Sequence, residues 1–203
     1  MKKDIPTYEI FIDENEDSFV SAVALVDKPA IEKNFFAFNE HTKLQFSYDD
    51  ERQELIGPAM IPDIEIYRKE QNTGAEYNVF FSKETIRQIA QVFFKKNFAN
   101  NTNISHTDIP AHSYIFQSYI VDDDKGIKSP KGIDVPDGSW IVGMKVTDNT
   151  VWQDIKSGKL KGFSVEGLFQ FSDSQVKHDK STTDEDLIAI LKKFNSLYSK
   201  PVF

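Results

Sequence analysis

Short apolar runs, alternating or continuous, recur along the chain and predict a strand-rich fold. They are rich in β-branched and aromatic residues, which is typical of strands, and read YEIFI, FVSAVALV, ELIGPAMIP, IEIYRK, EYNVFFS, SYIFQSYIV and SWIVGMKV. The first two flank the polar DENED, so they predict an N-terminal hairpin. Because strands and helices do not alternate as βαβ units, the pattern favours an α+β fold with an antiparallel sheet or barrel and peripheral helices.

Three stretches carry apolar residues at helical spacing instead. SKETIRQIAQVFFKKNF predicts the longest helix, capped by Ser82, and its apolar face comprises Ile86, Ile89, Ala90, Phe93 and Phe94. DNTVWQDIKSGK predicts a short helix that begins at Asp148 or Asn149 and stops at Gly158. DEDLIAILKKFNSLY predicts a final amphipathic helix.

These elements divide the chain into three segments. Residues 1–45 are predicted to form an arm or hairpin, residues 46–171 a main domain, and residues 172–203 a polar linker followed by the C-terminal helix. Within the main domain, DDDKGIKSPKGIDVPDG is polar and rich in Gly and Pro, so it predicts a long exposed loop.

Composition narrows the functional classes. The 203 residues carry a net charge of −8 and no basic stripe, which argues against nucleic acid and anionic membranes as partners. There is no cysteine, which excludes disulfides, thiolate zinc sites and a cysteine nucleophile and fits a cytoplasmic protein. We expect no membrane span and no signal peptide, because no long apolar run occurs and the N-terminus turns acidic at once.

The segment LKGFSVEG, residues 160–167, places Ser164 where a predicted helix leads into a strand. A serine hydroxyl becomes a nucleophile when a base accepts its proton, and histidine is the usual base. His106 in NISHTD is the best placed of the four histidines; the others are His41, His112 and His178. From spacing alone, an ordinary turn serine and a structural histidine remain the alternative. The segment also departs from the Gly-x-Ser-x-Gly elbow, because position 166 is Glu.

Carboxylates offer another route to chemistry. Asp108, the run at 122–124, and the pair Asp63 and Glu65 are candidate paired acids for metal or glycosidase chemistry. Acidic runs in loops are more often solvated surface, and the glycines are too scattered for a phosphate-binding loop. We therefore expect neither a metal nor a cofactor.

The ordered motifs of the main domain resemble those of a known family. LIGPAMIPDIEIYR, FFSKETIRQIAQVFFKKNF, NISHTD, SYIV and VPDGSWIVGMKVTDNTVWQDIKSGKLKGFSVEG together resemble phage serine proteases of the XkdF type. These belong with the prohead, or capsid maturation, proteases of tailed phages. The resemblance spans residues 46–171 and implies a herpesvirus-assemblin-like fold, a mostly antiparallel β-barrel wrapped by helices.

The resemblance also assigns roles to residues. The histidine motif of the family falls on His106 and its serine motif on Ser164. Backbone N–H groups near Gly162 and Val165 would form the oxyanion hole. Related proteases orient the base with a histidine or an acid, and Glu166 is the first candidate; Asp108, His178 and Asp173 are weaker ones, and a Ser–His dyad is a further option.

The implied function is a serine endopeptidase that acts inside the assembling prohead in the host cytoplasm. It would cut scaffold protein, extensions of the major capsid protein, and itself, most easily at residues 172–186. Because dimerisation activates some assemblin-like proteases, a homodimer is one implied state. Two other classes remain: an inactive protease-fold module that acts in capsid assembly, and a plain structural or binding domain in which Ser164 only caps a turn.

Overall fold

The computed structural model describes residues 5–13, 18–27, 46–69 and 73–175, with side chains up to residue 169. The described chain contains eleven strands and two α-helices. The strands are β1 Thr7–Phe11, β2 Phe19–Val26, β3 Ser47–Asp49, β4 Glu54–Met60, β5 Ile66–Lys69, β6 Glu76–Phe81, β7 Thr102–Ile104, β8 Ser113–Ile120, β9 Trp140–Val146, β10 Gly162–Leu168 and β11 Gln170–Gln175; the helices are α1 Lys83–Lys95 and α2 Asn149–Lys156. The α+β prediction is confirmed.

The strands form three separate sheets in the described part of the chain. Their orders are β11-β1-β6-β5, β10-β2-β7 and β3-β4-β9-β8. Most neighbours are antiparallel, but β1 pairs with β6, and β2 with β7, in parallel. Hydrogen bonds do not join these sheets into a closed barrel, so the prediction of a barrel is not confirmed. Strand β4 lies beside β10 yet bends at a bulge between Pro58 and Met60, and Pro58 has no N–H to donate.

The first two strands are present as predicted, but they do not form a hairpin with each other. Strand β1 lies between β11 and β6, and β2 lies between β10 and β7. Apolar patterning identifies a strand, whereas its partner depends on contacts far away in sequence. The segment predicted as an arm thus contributes interior strands to two sheets. The domain boundaries themselves stay a prediction.

The two described helices begin where the sequence predicts, α2 also ends there, and α1 ends at Lys95, slightly before the predicted end. The predicted C-terminal helix lies outside the described residues. The Ser82 hydroxyl accepts a hydrogen bond from Thr85 N at the start of α1, and the Asp148 carboxylate accepts from Thr150 N and Val151 N at the start of α2. Gly158 stops α2 with a φ of +73°, a conformation that glycine adopts without strain. On α1 the predicted apolar face is buried except for Phe94, which is 37% exposed.

An aromatic core joins the helices to the sheets. The largest fully buried side chains include Trp140, Trp152, Phe93 and Phe163. Phe93 of α1 packs edge-on against Trp140 of β9, with ring centroids 5.4 Å apart. Edge-on aromatic pairs are stabilised beyond the area that they bury, and this one anchors α1 on the sheets. None of the described helices has the length and apolar composition needed to cross a membrane.

The acidic run at 122–124 fastens the predicted loop. The Asp122 carboxylate accepts hydrogen bonds from Lys125 Nζ and Arg87 Nη2, and Asp137 accepts from Lys83 Nζ at 2.8 Å. Within the described residues, no group of three His, Asp or Glu side chains is arranged to hold a metal ion. Through its hydrogen bond with Arg87, Asp122 links the loop to α1.

We expect Asp122→Asn to lower stability near pH 7 and to matter less in acid. The hydrogen bonds from Lys125 and Arg87 hold the pKa of Asp122 below its ordinary value. A depressed pKa contributes stability above the unfolded-state pKa of about 3.9, and this contribution is lost as pH falls through the folded-state pKa. Urea midpoints of wild type and variant should differ at pH 7 and converge as pH falls through the lowered folded-state pKa. The control is Asp124→Asn, at an exposed carboxylate; a constant difference at all pH values would contradict the assignment.

Candidate active site

A three-stranded sheet, β10-β2-β7, forms the base of the site. Its register places Ser164 of β10 opposite Ala24 of β2, and Ala24 opposite Asn103 of β7. Residues directly opposite each other present their side chains on the same face of a sheet. Ser164, Ala24 and Asn103 therefore form one row across it.

Strand β2 alternates small and large side chains, and this alternation separates the site from the core. Ala22 and Ala24 share the face of Glu166 and Ser164, because these residues are register partners. Val23 and Leu25, on the opposite face, are fully buried in the core. Because the side chains of these two alanines are short, they leave space above the middle strand for a ring that approaches Ser164.

A strained turn after β7 carries His106 into that space. Ser105 and His106 have φ values of +54° and +57°, a left-handed conformation that is uncommon for residues with a Cβ. Two hydrogen bonds hold the turn: Ser105 N donates to Leu25 O of β2 at 2.9 Å, and His106 N donates to Asn103 Oδ1 at 3.1 Å. Strain of this kind persists where surrounding contacts enforce it, often at functional sites.

The turn places the imidazole against the serine hydroxyl. His106 Nε2 lies 3.0 Å from Ser164 Oγ, within hydrogen-bonding distance. For the hydroxyl to donate to Nε2, the ring proton must be on Nδ1. Ser164 is 6% exposed, whereas the His106 side chain is 38% exposed. The pair can transfer the serine proton to the ring and so activate the hydroxyl as a nucleophile.

Glu166 faces the other ring nitrogen. Its Oε2 atom lies 3.5 Å from His106 Nδ1 and accepts a hydrogen bond from Asn103 Nδ2 at 2.9 Å. Asn103 therefore links the Glu166 carboxylate to the backbone of His106, because its Oδ1 atom also accepts from His106 N. The carboxylate stabilises a protonated ring electrostatically. The 3.5 Å distance exceeds that of an ordinary N–H···O hydrogen bond, so this contact is an ion pair when the ring is protonated.

The second glycine of LKGFSVEG has a packing role. A bulge between Glu166 and Gly167 brings β10 close to β2, and a Cβ on Gly167 would lie 2.3 Å from the Phe19 carbonyl oxygen. Only glycine fits this approach. Gly162 begins β10 and Val165 follows Ser164, so their N–H groups flank the serine; their role as oxyanion donors stays a prediction.

Of the remaining sequence candidates, those whose side chains the structure describes are not part of this group. Within the described chain, Asp108 forms no hydrogen bond or ion pair with His106. His112 lies just before β8, where its backbone carbonyl accepts from Thr147 N at 2.9 Å, and Glu65 accepts from Asn78. His41 and His178 lie outside the described residues, and Asp173 lies in β11 with its side chain undescribed.

Sequence reasoning missed Asn103 and the two alanines of β2. Asn103 stands three residues before His106, and asparagine side chains commonly hydrogen-bond a backbone N–H nearby in turns. The alternation of small and large residues in SAVALV was the available signal for β2. It indicates a strand with one face in the core and the other beneath something bulky.

We expect Glu166→Gln to slow reactions of Ser164 by about tenfold, because the ring loses a carboxylate that is half exposed and therefore partly screened. The amide oxygen of Gln can still accept from Asn103, so the turn should keep its position. The measurement is the second-order rate at which an alkyl fluorophosphonate labels Ser164. Glu51→Gln, at an exposed turn position, is the control; an unchanged rate in Glu166→Gln would reduce the site to a Ser–His dyad.

Comparison with known proteins gives one family and two relatives. Residues 41–172 match the family described as "Putative phage serine protease XkdF". The chain is 26% identical over 157 residues to the phage-like element PBSX protein XkdF of Bacillus subtilis strain 168, covering 73% of this chain and 52% of that protein. It is 24% identical over 198 residues to the uncharacterized protein YqbD of the same strain, covering 90% of this chain and 57% of that protein. The chain thus spans little more than half the length of these relatives. No solved structure matches.

Proposed function

This chain belongs to the XkdF family of phage serine proteases, and we propose that it is an active serine endopeptidase of phage capsid maturation. The observation that carries the proposal is the 3.0 Å contact between His106 Nε2 and Ser164 Oγ. It supports acyl transfer, because a hydroxyl hydrogen-bonded to a neutral imidazole is the arrangement that activates serine. The buried position of Ser164 and the open position of His106 fit a base that exchanges protons with solvent.

The reaction would proceed in two balanced steps. Ser164 Oγ attacks the peptide carbonyl while its proton passes to His106 Nε2; the Oγ–C bond forms, the C–N bond breaks, and the ring returns the proton to the leaving amine. Water then gives a proton to Nε2 as its oxygen attacks the acyl ester. The ester bond breaks, the peptide acid leaves, and Oγ regains its proton.

Glu166 would stabilise the protonated ring in both steps, with Asn103 holding the carboxylate in place. N–H groups of β10 beside Ser164 would stabilise the oxyanion. The substrates that we propose are the scaffold protein, extensions of the major capsid protein, and the protease itself within residues 172–186. The proposed place of action is the assembling prohead in the host cytoplasm, with a homodimer as the proposed assembly.

An inactive protease-fold module in capsid assembly is the second candidate. The observation that favours it is the 3.5 Å separation between His106 Nδ1 and Glu166 Oε2, which is looser than the hydrogen bond of a tight triad.

Co-expression with the scaffold and major capsid proteins of the same phage element tests the proposal. Intact-mass spectrometry should find defined fragments of at least one of these proteins, and the fragment ends would give the cleavage rule. If every protein stays intact while the purified chain is folded and no fluorophosphonate labels Ser164, the protease proposal fails and the assembly module takes its place.

A further inference from the structure

A pocket lined largely by apolar side chains opens beside Ser164. Ser164 and its neighbours Phe163 and Val165 form one wall. The rest of the described lining comes from the end of β4, from β5, and from residues near the ends of β6 and β10; it includes Ala59, Ile61, Ile66, Phe81 and Phe169. Arg68 of β5 is the one charged residue among the described lining. Apolar walls beside a nucleophile favour an apolar side chain of the substrate.

The pocket lies along an edge of β10. Strand β10 pairs with β2 on one side and ends its sheet on the other, within the described residues. The start of this edge is covered, because Phe46 N donates to Lys161 O at 3.2 Å and the Phe46 ring packs on Phe163 with centroids 5.3 Å apart. The pocket lies just beyond this covered part, along Phe163, Ser164 and Val165.

The distance over which Ser164 Oγ can attack a carbonyl limits which part of a substrate can occupy this pocket. A carbonyl carbon attacked by Ser164 Oγ must come within about 3.5 Å of it. The side chain of the residue that supplies this carbonyl begins at Cβ, two bonds from the carbonyl carbon, so it falls among the walls that Ser164 shares. An extended peptide along the edge of β10 would present its side chains to such a pocket, as in other cases of strand addition.

We propose that this pocket is the specificity subsite for the residue whose carbonyl Ser164 attacks, and that it selects an apolar side chain. The inference rests on the proposed function and deepens it, since it names the substrate class at the scissile bond. Charged side chains are disfavoured because they would lose water against apolar walls. Arg68 has a charge that would instead favour an acidic side chain, which makes Arg68 the residue to control for.

Peptidyl diphenyl phosphonates test the subsite, because they carry a chosen side chain to the serine. Attack by Ser164 Oγ forms an O–P bond and expels phenol, and the mass adduct gives the rate. We expect alanine, valine or leucine probes to label wild type at least about tenfold faster than aspartate or lysine probes, since one or more apolar groups in a fitting pocket contribute that much. A faster aspartate probe whose advantage disappears in Arg68→Gln would overturn the proposal, as would equal rates for all probes.

A substitution in the pocket tests whether these lining residues determine the preference for apolar probes. Ile66→Ala enlarges the pocket, so the preference should shift toward the larger apolar probe by about tenfold, while labelling by a fluorophosphonate without a peptide side chain reports that the site is intact. A preference that does not shift in a variant with normal fluorophosphonate labelling would place the subsite elsewhere. If the fluorophosphonate labels wild-type Ser164 but apolar probes have no advantage, only the subsite proposal is contradicted. If nothing labels Ser164, the proposed function itself is contradicted.

Discussion

Replacing Ser164 by alanine is expected to abolish cleavage of the capsid and scaffold proteins and to leave the fold intact. The substitution removes the nucleophile, and enzymes of this class lose at least about a thousandfold in rate without it. Alanine fits the site, because Ser164 lies on a regular strand opposite another alanine, Ala24. Fragment formation on co-expression and labelling by a fluorophosphonate should both fall below detection, while thermal unfolding stays cooperative.

The matched control is Ser139→Ala. Ser139 is also buried, and its hydroxyl donates to Pro136 O at 2.7 Å, so this variant loses a buried hydroxyl away from the site. It should cleave and label as wild type does. Fragments that persist in a folded Ser164→Ala chain would show that another group, or another protein, carries out the cleavage.

His106→Asn is expected to lower the labelling rate of Ser164 by about a thousandfold, because no base remains to take the hydroxyl proton. Asparagine is the informative replacement because His106 has a φ of +57°. Asparagine tolerates the left-handed region better than most residues, so the turn should persist. Alanine at 106 would combine loss of the base with backbone strain, and the two effects would be difficult to separate.

His112→Asn provides the matched control, since His112 also has a left-handed conformation, with a φ of +47°, and its backbone carbonyl accepts from Thr147 N at 2.9 Å. The same chemical change in the same backbone conformation should leave the labelling rate unchanged. Equal rates in wild type and His106→Asn would remove the histidine from the mechanism and with it the acyl-transfer scheme.

Local features of the fold could be read from the sequence because each depends on neighbouring residues. The caps at Ser82 and Asp148 depend on a hydroxyl or carboxylate next to free N–H groups. Strand positions followed from alternation and β-branched content. The His106–Ser164 pair was reached differently, through motifs whose order resembles a family; spacing alone favoured an ordinary turn serine and a structural histidine.

The arrangement of the sheets could not be read in the same way. Nothing in YEIFI or FVSAVALV states that β1 pairs with β11 and β2 with β10, because each pairing joins residues near opposite ends of the described chain. Asn103 escaped notice for a related reason. Its local bond to His106 N is a common turn contact, and its second bond, to Glu166 Oε2, exists only after β7 and β10 reach the same sheet.

The pairing of β2 with β10 also determines when the site can form during synthesis of the chain. During synthesis β2 emerges early, but its antiparallel partner emerges only after nearly the whole described chain has been made. Pairings of such long range form late, since the entropy of closing the intervening chain opposes them. His106 and Ser164 come together only on this completed sheet, so an unfinished or half-folded chain has no assembled nucleophile. Under the proposed function, translation itself therefore delays proteolysis by this chain until its own folding is complete.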